Sequence, residues 1–142
     1  VALVVTISLH LLLTKTKIGK AMRATADNVD LARVTGINTE LVILWTWVIG
    51  AGLAAVAGVL LAVFQAQLLP IMGWKFLIPL FSAVILGGIG NPYGAFLGAM
   101  IVGVSAEVAT QWINPSYKPV IAFAILIAVL LIRPRGIFGV RD

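Results

Sequence analysis

The chain has no cysteine, one histidine and little charge, since only 11% of its 142 residues are Asp, Glu, Lys or Arg. Without cysteine, disulfides, thiol nucleophiles and thiolate metal sites are excluded. Soluble domains carry about 25% charged residues, so this chain has too few to coat a surface that faces water. A soluble enzyme, a disordered chain and a nucleic-acid-binding protein are therefore excluded. His10, with no second His and no neighbouring carboxylate, predicts no metal site.

Hydrophobic residues are abundant instead: they reach 61%, and the mean hydropathy is +1.12. A soluble globule has roughly 45–50% apolar residues. The composition indicates an integral membrane protein, and we expect the all-α class, as a polytopic bundle of transmembrane helices. Because Val1 already lies inside an apolar run, we expect residues 1–142 to be a single membrane domain that is a fragment of a longer protein.

Five apolar segments follow one another along the chain. A full span needs about 20 mostly apolar residues, and the stretch from Leu41 to Phe64, which contains no charge, is the clearest one. A later segment is shorter than a normal span, which predicts short or broken helices around 76–98. The five segments are expected at about 1–13, 41–64, 76–89, 95–113 and 119–132.

The net charge of +5 is concentrated in two stretches. Residues 14–40 hold five Lys and Arg and residues 133–142 hold three, which makes eight of the ten in the chain. The loops 65–75 and 114–118 hold one each. Short loops rich in Lys and Arg stay cytoplasmic. We therefore expect 14–40 and the C-terminal tail on the cytoplasmic side and the other two loops outside.

Small residues recur every four positions on two of the apolar segments. Gly50, Ala54 and Gly58 form one ridge, and Gly94 and Gly98 form another. Inside lipid, small residues let helix backbones approach closely, which favours association between helices. We predict that at least one of these ridges is a helix-packing seam. The alternative is that Gly is simply common in membrane helices.

The basic stretch between the first two segments contains a helix pattern. Asp27 or Asn28 can cap a helix, and Asp30 lies in its first turn, where negative charge is favourable. Gly36 is suited to a left-handed stop. The pattern predicts a short helix over about 28–35 at the inner membrane surface. It is either a surface-lying element or a docking element for a cytoplasmic partner.

Five sequence blocks follow one another along the chain. They are Gly-Lys-Ala-Met-Arg-Ala-Thr-Ala at 19–26, Asp-Leu-Ala-Arg-Val-Thr-Gly-Ile-Asn at 30–38, Ala-Ala-Val-Ala-Gly at 54–58, Val-Ile-Leu-Gly-Gly-Ile-Gly-Asn-Pro-Tyr-Gly at 84–94, and Ile-Arg-Pro-Arg-Gly-Ile-Phe-Gly at 132–139. In this order they resemble the permeases of branched-chain amino acid ABC transporters, most closely those of the Liv H type. The resemblance extends over essentially residues 15–139.

The resemblance implies a coupling role for the short helix. Importer permeases carry a loop motif of Glu-Ala-Ala, three residues and Gly, which forms a coupling helix against the ATP-binding subunit. In this chain Asp30 stands in place of Glu, and Leu31 and Ala32 stand in place of the two Ala. Gly36 keeps its place at the end of the motif. The residues assigned to coupling are Asp30, Leu31, Ala32, Arg33 and Gly36.

The glycine-rich stretch 87–94 allows two interpretations. It lacks the Gly-Lys-Ser/Thr ending of a phosphate-binding Walker loop. Irregular backbone at membrane depth is tolerated where it is buried in protein or lines a cavity. The stretch is therefore either a broken helix near a translocation path or a tight turn between two helices. On the first interpretation Gly87, Gly88 and Gly90 belong to the path.

Glu107 is the acidic residue inside an apolar segment. Such a residue is costly in lipid and suggests a function by default, so Glu107 is also assigned to the translocation path. The alternative is that it reaches the outer headgroups.

The leading hypothesis is a permease subunit of an ATP-driven importer for branched-chain or related apolar amino acids. It would have no enzymatic activity, catalytic residue or cofactor of its own. The resemblance implies two cytoplasmic ATP-binding subunits that bind ATP and Mg, a second related permease and a periplasmic solute-binding protein, with the assembly embedded in the lipid of a bacterial inner membrane. The alternatives are an ion-coupled secondary transporter or channel, and a structural membrane subunit.

Overall fold

The computed structural model describes residues 1–139. The regular elements among these residues are helices joined by turns and loops, with no strand. They confirm the predicted all-α class. The chain divides into two compact units between Leu68 and Leu69. Unit 1 precedes this boundary and unit 2 follows it, and each has its own internal packing.

Unit 1 contains four helices joined by short connections. They are α1 (Ala2–Lys15), α2 (Lys17–Asp27), α3 (Val29–Val34) and α4 (Thr39–Gln65). The axes of α1 and α2 differ by 81°. The bend occurs at Thr16, whose hydroxyl oxygen accepts a hydrogen bond from the Gly19 N–H at 3.0 Å. A Cβ at Gly19 would clash with the backbone of Leu12 and Leu13, so glycine permits the sharp turn.

The structure adds α2 to the one short helix predicted in the basic stretch. One side of α2 packs inside the unit through partly buried Ala21 and Met22 and buried Thr25. The exposed side carries Lys17 and Lys20. An amphipathic helix that bends away from an apolar one is typical of an element lying along a membrane surface.

Helix α4 has 27 residues, a length of about 40 Å, which exceeds the roughly 30 Å hydrocarbon core of a bilayer. It starts three residues after Gly36 and contacts α2 and α3. Its buried residues are Thr39 and Val42, both in the first two turns. The remaining apolar surface of α4 is exposed within unit 1, as expected for a helix covered by lipid or by other protein surfaces.

Unit 2 is built around three packed helices. Its helices are α5 (Met72–Lys75), α6 (Leu77–Gly87), α7 (Pro92–Ala109) and α8 (Lys118–Ile132), with a 3-10 turn (Pro115–Tyr117) before α8. Helix α6 contacts both α7 and α8. The buried core consists of Ala83, Leu86, Val102 and Ala122.

Among residues 1–139, three helical stretches are long and apolar enough to cross a membrane: Thr39–Gln65, Pro92–Ala109 and Pro115–Ile132. Ala2–Lys15 passes the same test only together with Lys17–Asp27, as a bent pair. Helix α6, with 11 residues, is about 16 Å long, or half the hydrocarbon core. The predicted short helix with a break after it is therefore present.

Candidate functional site

Helix α3 presents most of the predicted coupling residues on its exposed face. Leu31 is 61% exposed and Val34 is 84% exposed, and Asp30 and Arg33 are exposed as well. Ala32, in contrast, is 3% exposed and packs inside unit 1. The helix therefore has one small side chain facing inward and an outward surface that mixes branched aliphatic groups with both signs of charge.

Both ends of α3 are closed by specific hydrogen bonds. At the start, the side-chain Oδ1 of Asn28 accepts from the N–H of Leu31 at 3.0 Å, so Asn28 rather than Asp27 is the cap. At the end, the N–H of Ile37 donates to the Ala32 carbonyl at 3.0 Å. The N–H of Gly36 donates to the Arg33 carbonyl at 3.1 Å.

Gly36 has the left-handed conformation that this ending needs, with φ at +89°. A residue other than glycine adopts this conformation only with strain. The two end motifs satisfy N–H and C=O groups that so short a helix would otherwise leave open. As a result, a six-residue helix is held in one defined conformation.

Helix α3 is also attached to the first turn of α4. The Nε of Arg33 donates to the hydroxyl oxygen of Thr39 at 3.1 Å, and Thr39 is 3% exposed. Asn38 caps α4 by accepting from the Leu41 N–H at 3.2 Å. Among residues 1–139, α4 is the longest helix, and these contacts connect α3 to its first turn.

In unit 2 the glycine-rich stretch forms a tight turn between α6 and α7. Gly87 and Gly94 lie in close backbone contact, so that a Cβ on either would clash with the other. Gly88 and Gly90 have φ of +100° and +92°. The side chain of Asn91 caps α7 by accepting from the N–H groups of Tyr93 and Gly94.

The segment after α8 packs against this turn and forms hydrogen bonds with the end of α6. The N–H of Ile137 donates to the Leu86 carbonyl at 2.8 Å, and the N–H of Phe138 donates to the Gly87 carbonyl at 3.2 Å. These carbonyls lie in the last turn of α6, where helical partners run out. Such groups are costly to leave unbonded in a membrane, so the contact stabilises the end of the short helix.

The structure does not bring the four predicted path residues together. Gly87 and Gly88 are buried in packing contacts, whereas Gly90 is exposed and a Cβ built on it would have no contact within 4 Å. Glu107 lies near the far end of α7, is 64% exposed, and pairs with Lys118 Nζ at 2.6 Å. Their assignment to a translocation path remains a prediction.

The two small-residue ridges have different surroundings. On α7, a Cβ at Gly98 would clash with the carbonyl oxygen of Ala83 on α6, and Gly94 has the contact with Gly87 described above. On α4, no atom lies within 4 Å of a Cβ built at Gly50 or at Gly58. The second ridge therefore packs against α6. The seam at Gly50, Ala54 and Gly58 remains a prediction that would need a partner other than unit 1.

Ser82 is a packing residue that the sequence analysis did not identify. It is fully buried at 0% exposure, and its hydroxyl lies 2.9 Å from the carbonyl oxygens of Ile78 and Ala122. The second of these contacts joins α6 to α8. In the sequence, Ser82 is recognisable only as a single hydroxyl-bearing residue within an otherwise apolar segment.

Among residues 1–139 no group of three or more His, Cys, Asp or Glu could hold a metal ion. Helix α3 is exposed, capped at both ends and hydrogen-bonded to the first turn of α4. Together with the apolar spans, it defines a polytopic helical membrane protein.

Comparison with known proteins identifies the family. The sequence model of the family described as branched-chain amino acid transport system permease component matches residues 1–130, and the chain belongs to this family. The permease protein LivH of the high-affinity branched-chain amino acid transport system of Salmonella typhimurium is 42% identical over 133 residues, which cover 94% of this chain and 43% of LivH.

Other relatives extend this likeness. BraD of Pseudomonas aeruginosa, also a high-affinity branched-chain amino acid permease protein, is 41% identical over 139 residues, or 98% of this chain and 45% of BraD. LsrC of Salmonella paratyphi B, an autoinducer 2 import permease, is 31% identical over 137 residues, or 91% of this chain and 39% of LsrC. The chain thus spans less than half the length of these relatives. No solved structure matches it.

Proposed function

We propose that the chain is part of a permease subunit of an ATP-driven importer for branched-chain or related apolar amino acids, located in a bacterial inner membrane. The LivH and BraD relatives support this substrate class. The LsrC relative, a permease protein of an autoinducer 2 import system, is less similar at 31% identity. As an importer subunit, the protein would work with two ATP-binding subunits, a second permease and a solute-binding protein.

The proposed mechanism rests on three features of α3: its exposed apolar side chains, its capped ends and its hydrogen bond to α4. Leu31 and Val34 are exposed apolar side chains on a helix whose two ends are capped. The hydrogen bond from Arg33 to Thr39 ties this helix to the start of α4. Closure of the ATP-binding subunits on nucleotide would push on α3, and the push would reach the membrane through α4.

A site-specific cross-link tests the contact. A photo-reactive amino acid is placed at Leu31 or Val34 of the full-length protein, co-expressed with the ATP-binding subunits of its transport system. We expect a covalent product with an ATP-binding subunit, because both positions project from the exposed face. The control position is Gln67, which is also exposed but lies in a loop predicted on the opposite side. Equal cross-linking from Gln67, or none from either α3 position, would contradict the proposal.

Charge substitutions test the function of the same surface. Leu31→Asp and Val34→Asp place a carboxylate in the proposed interface, and because both side chains are exposed, the subunit should fold and reach the membrane normally. Loss of a central interface contact costs about 2 kcal/mol or more, which weakens binding about thirtyfold or more, so uptake in proteoliposomes should fall by a similar factor.

Energy coupling separates the proposal from the alternatives. Uptake that stops on ATP depletion and survives collapse of ion gradients supports an importer. Uptake that follows a proton or sodium gradient without ATP would identify a secondary transporter. An assembly that is intact but transports nothing would favour a structural subunit.

A further inference from the structure

The turn that follows α8 carries two arginines with no partner in the part of the chain that the structure describes. Arg133 and Arg135 are exposed, and neither side chain forms a hydrogen bond or ion pair with any of residues 1–139. Within the described part of unit 2 the acidic residue is Glu107, and it is paired with Lys118. Among residues 69–139, no acidic side chain therefore compensates the positive charge of the turn.

The backbone that carries these arginines is held in place. The hydrogen bonds from Ile137 and Phe138 to the end of α6 pin it. Gly136 is buried with φ at +75°, and a Cβ there would clash with the carbonyl oxygen of Ile85. The two guanidinium groups thus extend from a fixed turn, not from a loose tail, which lowers the entropy cost of binding a ligand there.

Two shallow cavities adjoin this turn and share a wall. One, of about 370 Å³, is lined by the turn itself, including Arg133, Pro134 and Arg135. The other, of about 300 Å³, is lined by Ile85 and Ile89 together with Pro134 and Arg135. One side of the combined surface is cationic and the other is branched aliphatic, an arrangement that matches an amphiphilic anion better than a small soluble one.

The neighbouring surface is that of a membrane boundary. Leu131 is 79% exposed and Ile132 is 78% exposed at the end of α8, and Ile89 is 72% exposed at the turn after α6. Large apolar side chains followed at once by Arg are typical of the level where the hydrocarbon ends and the headgroups begin. A ligand at this level would have its phosphate beside the arginines and its chain beside the isoleucines.

We propose that Arg133 and Arg135 bind the phosphate of an anionic phospholipid, with Ile85 and Ile89 in contact with the upper part of an acyl chain. Guanidinium groups bind phosphate through paired N–H donors in a geometry that ammonium groups do not reproduce. The bound headgroup would neutralise the positive charge of the turn that hydrogen-bonds to the end of α6. This inference rests on the membrane location of the protein and is independent of the proposed transport function.

Native mass spectrometry of the full-length protein in a mild detergent tests the site. Phosphatidylglycerol and phosphatidylcholine are added at equal concentration, and the adducts retained are compared. We expect one phosphatidylglycerol to be retained in clear excess, about tenfold. Both lipids carry a phosphate, but the choline ammonium of phosphatidylcholine cancels its charge and is repelled by the two guanidinium groups. The double variant Arg133→Gln, Arg135→Gln should lose this preference.

A matched variant separates a built site from general attraction. Lys17→Gln with Lys20→Gln removes the same charge from exposed positions of α2 and should leave the preference unchanged. If this variant lowers retention as much as the arginine pair does, general electrostatics is responsible and the proposal is overturned. Arg133→Lys with Arg135→Lys keeps the charge and the membrane orientation, and it should retain phosphatidylglycerol several-fold less well than the native protein. Native-like retention by the lysine variant would also overturn the guanidinium site.

A competition experiment distinguishes the lipid from a free anion. With phosphatidylglycerol bound, inorganic phosphate is added at 10-fold to 100-fold excess. Retention of the lipid supports recognition of headgroup and chain together. Displacement by inorganic phosphate would show that the turn binds free phosphate and would overturn the lipid assignment.

Discussion

Two glycines on α7 differ in whether a larger side chain would fit at their position. A Cβ at Gly98 would meet the Ala83 carbonyl of α6, whereas a Cβ at Gly103 would meet nothing within 4 Å. The close approach at Gly98 therefore depends on glycine, and Gly103 has no such requirement. The pair gives a matched comparison on one helix.

We predict opposite effects for the two Gly→Ala substitutions. Gly98→Ala should lower the free energy of unfolding by about 1–3 kcal/mol, since α6 and α7 must move apart. Gly103→Ala should leave it unchanged or raise it by up to about 1 kcal/mol, because Ala is the better helix former. Unfolding of the full-length protein in mixed detergent and SDS measures both. Similar losses at the two positions would mean that the α6–α7 contact does not limit stability.

Glu107 illustrates how exposure changes the meaning of an acidic residue in an apolar segment. Its ion pair with Lys118 is short, at 2.6 Å, but the two side chains are 64% and 39% exposed. Exposed pairs contribute about 0–1 kcal/mol. The structure therefore favours the interpretation in which Glu107 lies at a helix end, where water and headgroups screen it.

We predict that Glu107→Gln changes the free energy of unfolding by less than about 1 kcal/mol and leaves uptake within about twofold of the native rate. Lys118→Gln is the control, because it breaks the same ion pair from the other side. A large loss of uptake in Glu107→Gln, with normal uptake in Lys118→Gln, would instead support the assignment of Glu107 to the translocation path.

At the scale of elements, α6 depends on its neighbours more than the longer helices do. It covers about half a bilayer core, and it is held by the Ser82 contact with α8 and by the tail at Leu86 and Gly87. Such a short helix has little stability of its own. Its position must come from these contacts.

Removing the Ser82 hydroxyl tests one of these contacts. Ser82→Ala should lower the free energy of unfolding by about 0.6 kcal/mol and by no more than about 1.7 kcal/mol, the range found for hydrogen bonds between membrane helices. Ser105→Ala on α7, at a partly buried position, is the control and should have a smaller effect. Thermal unfolding in detergent gives both values. A larger loss at Ser105 would contradict the role assigned to Ser82.

The short helix α3 was predictable from local sequence. Asn28 caps it through one hydrogen bond, Gly36 ends it through its positive φ, and Asp30 places negative charge in its first turn. The prediction of a helix over about 28–35 agrees with Val29–Val34. Helix α2 was not predicted, because its charges suggested a loop. Its periodic apolar positions and the capping Thr16 were the signals for it.

The contacts within unit 2 were less accessible to sequence reasoning. Ile137 bonds to Leu86 across 51 positions, and Ser82 bonds to Ala122 across 40. No local pattern encodes such pairs, because they depend on how α6, α7 and α8 pack. Gly87 and Gly88 are buried because of that packing. The glycine-rich sequence alone is equally compatible with an open path, so it could not predict their burial.

At the scale of the whole molecule, the distribution of charge predicts which ends of the helices face the cytoplasm. Residues 14–40 carry five Lys and Arg, whereas the loops 65–75 and 114–118 carry one each. Moving a charged side chain into the bilayer centre costs about 2.5–3.5 kcal/mol on insertion scales. Basic loops therefore tend to stay on the side where they are synthesised.

Single cysteines introduced on the two sides measure this orientation directly, since residues 1–142 contain no Cys of their own. In intact cells, Gln67→Cys and Ser116→Cys should react with a membrane-impermeant maleimide, and Lys20→Cys should react only after the membrane is opened. All three positions are exposed, so a difference in labelling reports the side of the membrane and not burial. Labelling of Lys20→Cys in intact cells would reverse the orientation. It would also place α3 on the wrong side for any ATP-binding subunit, so this one result would overturn the coupling mechanism together with the topology.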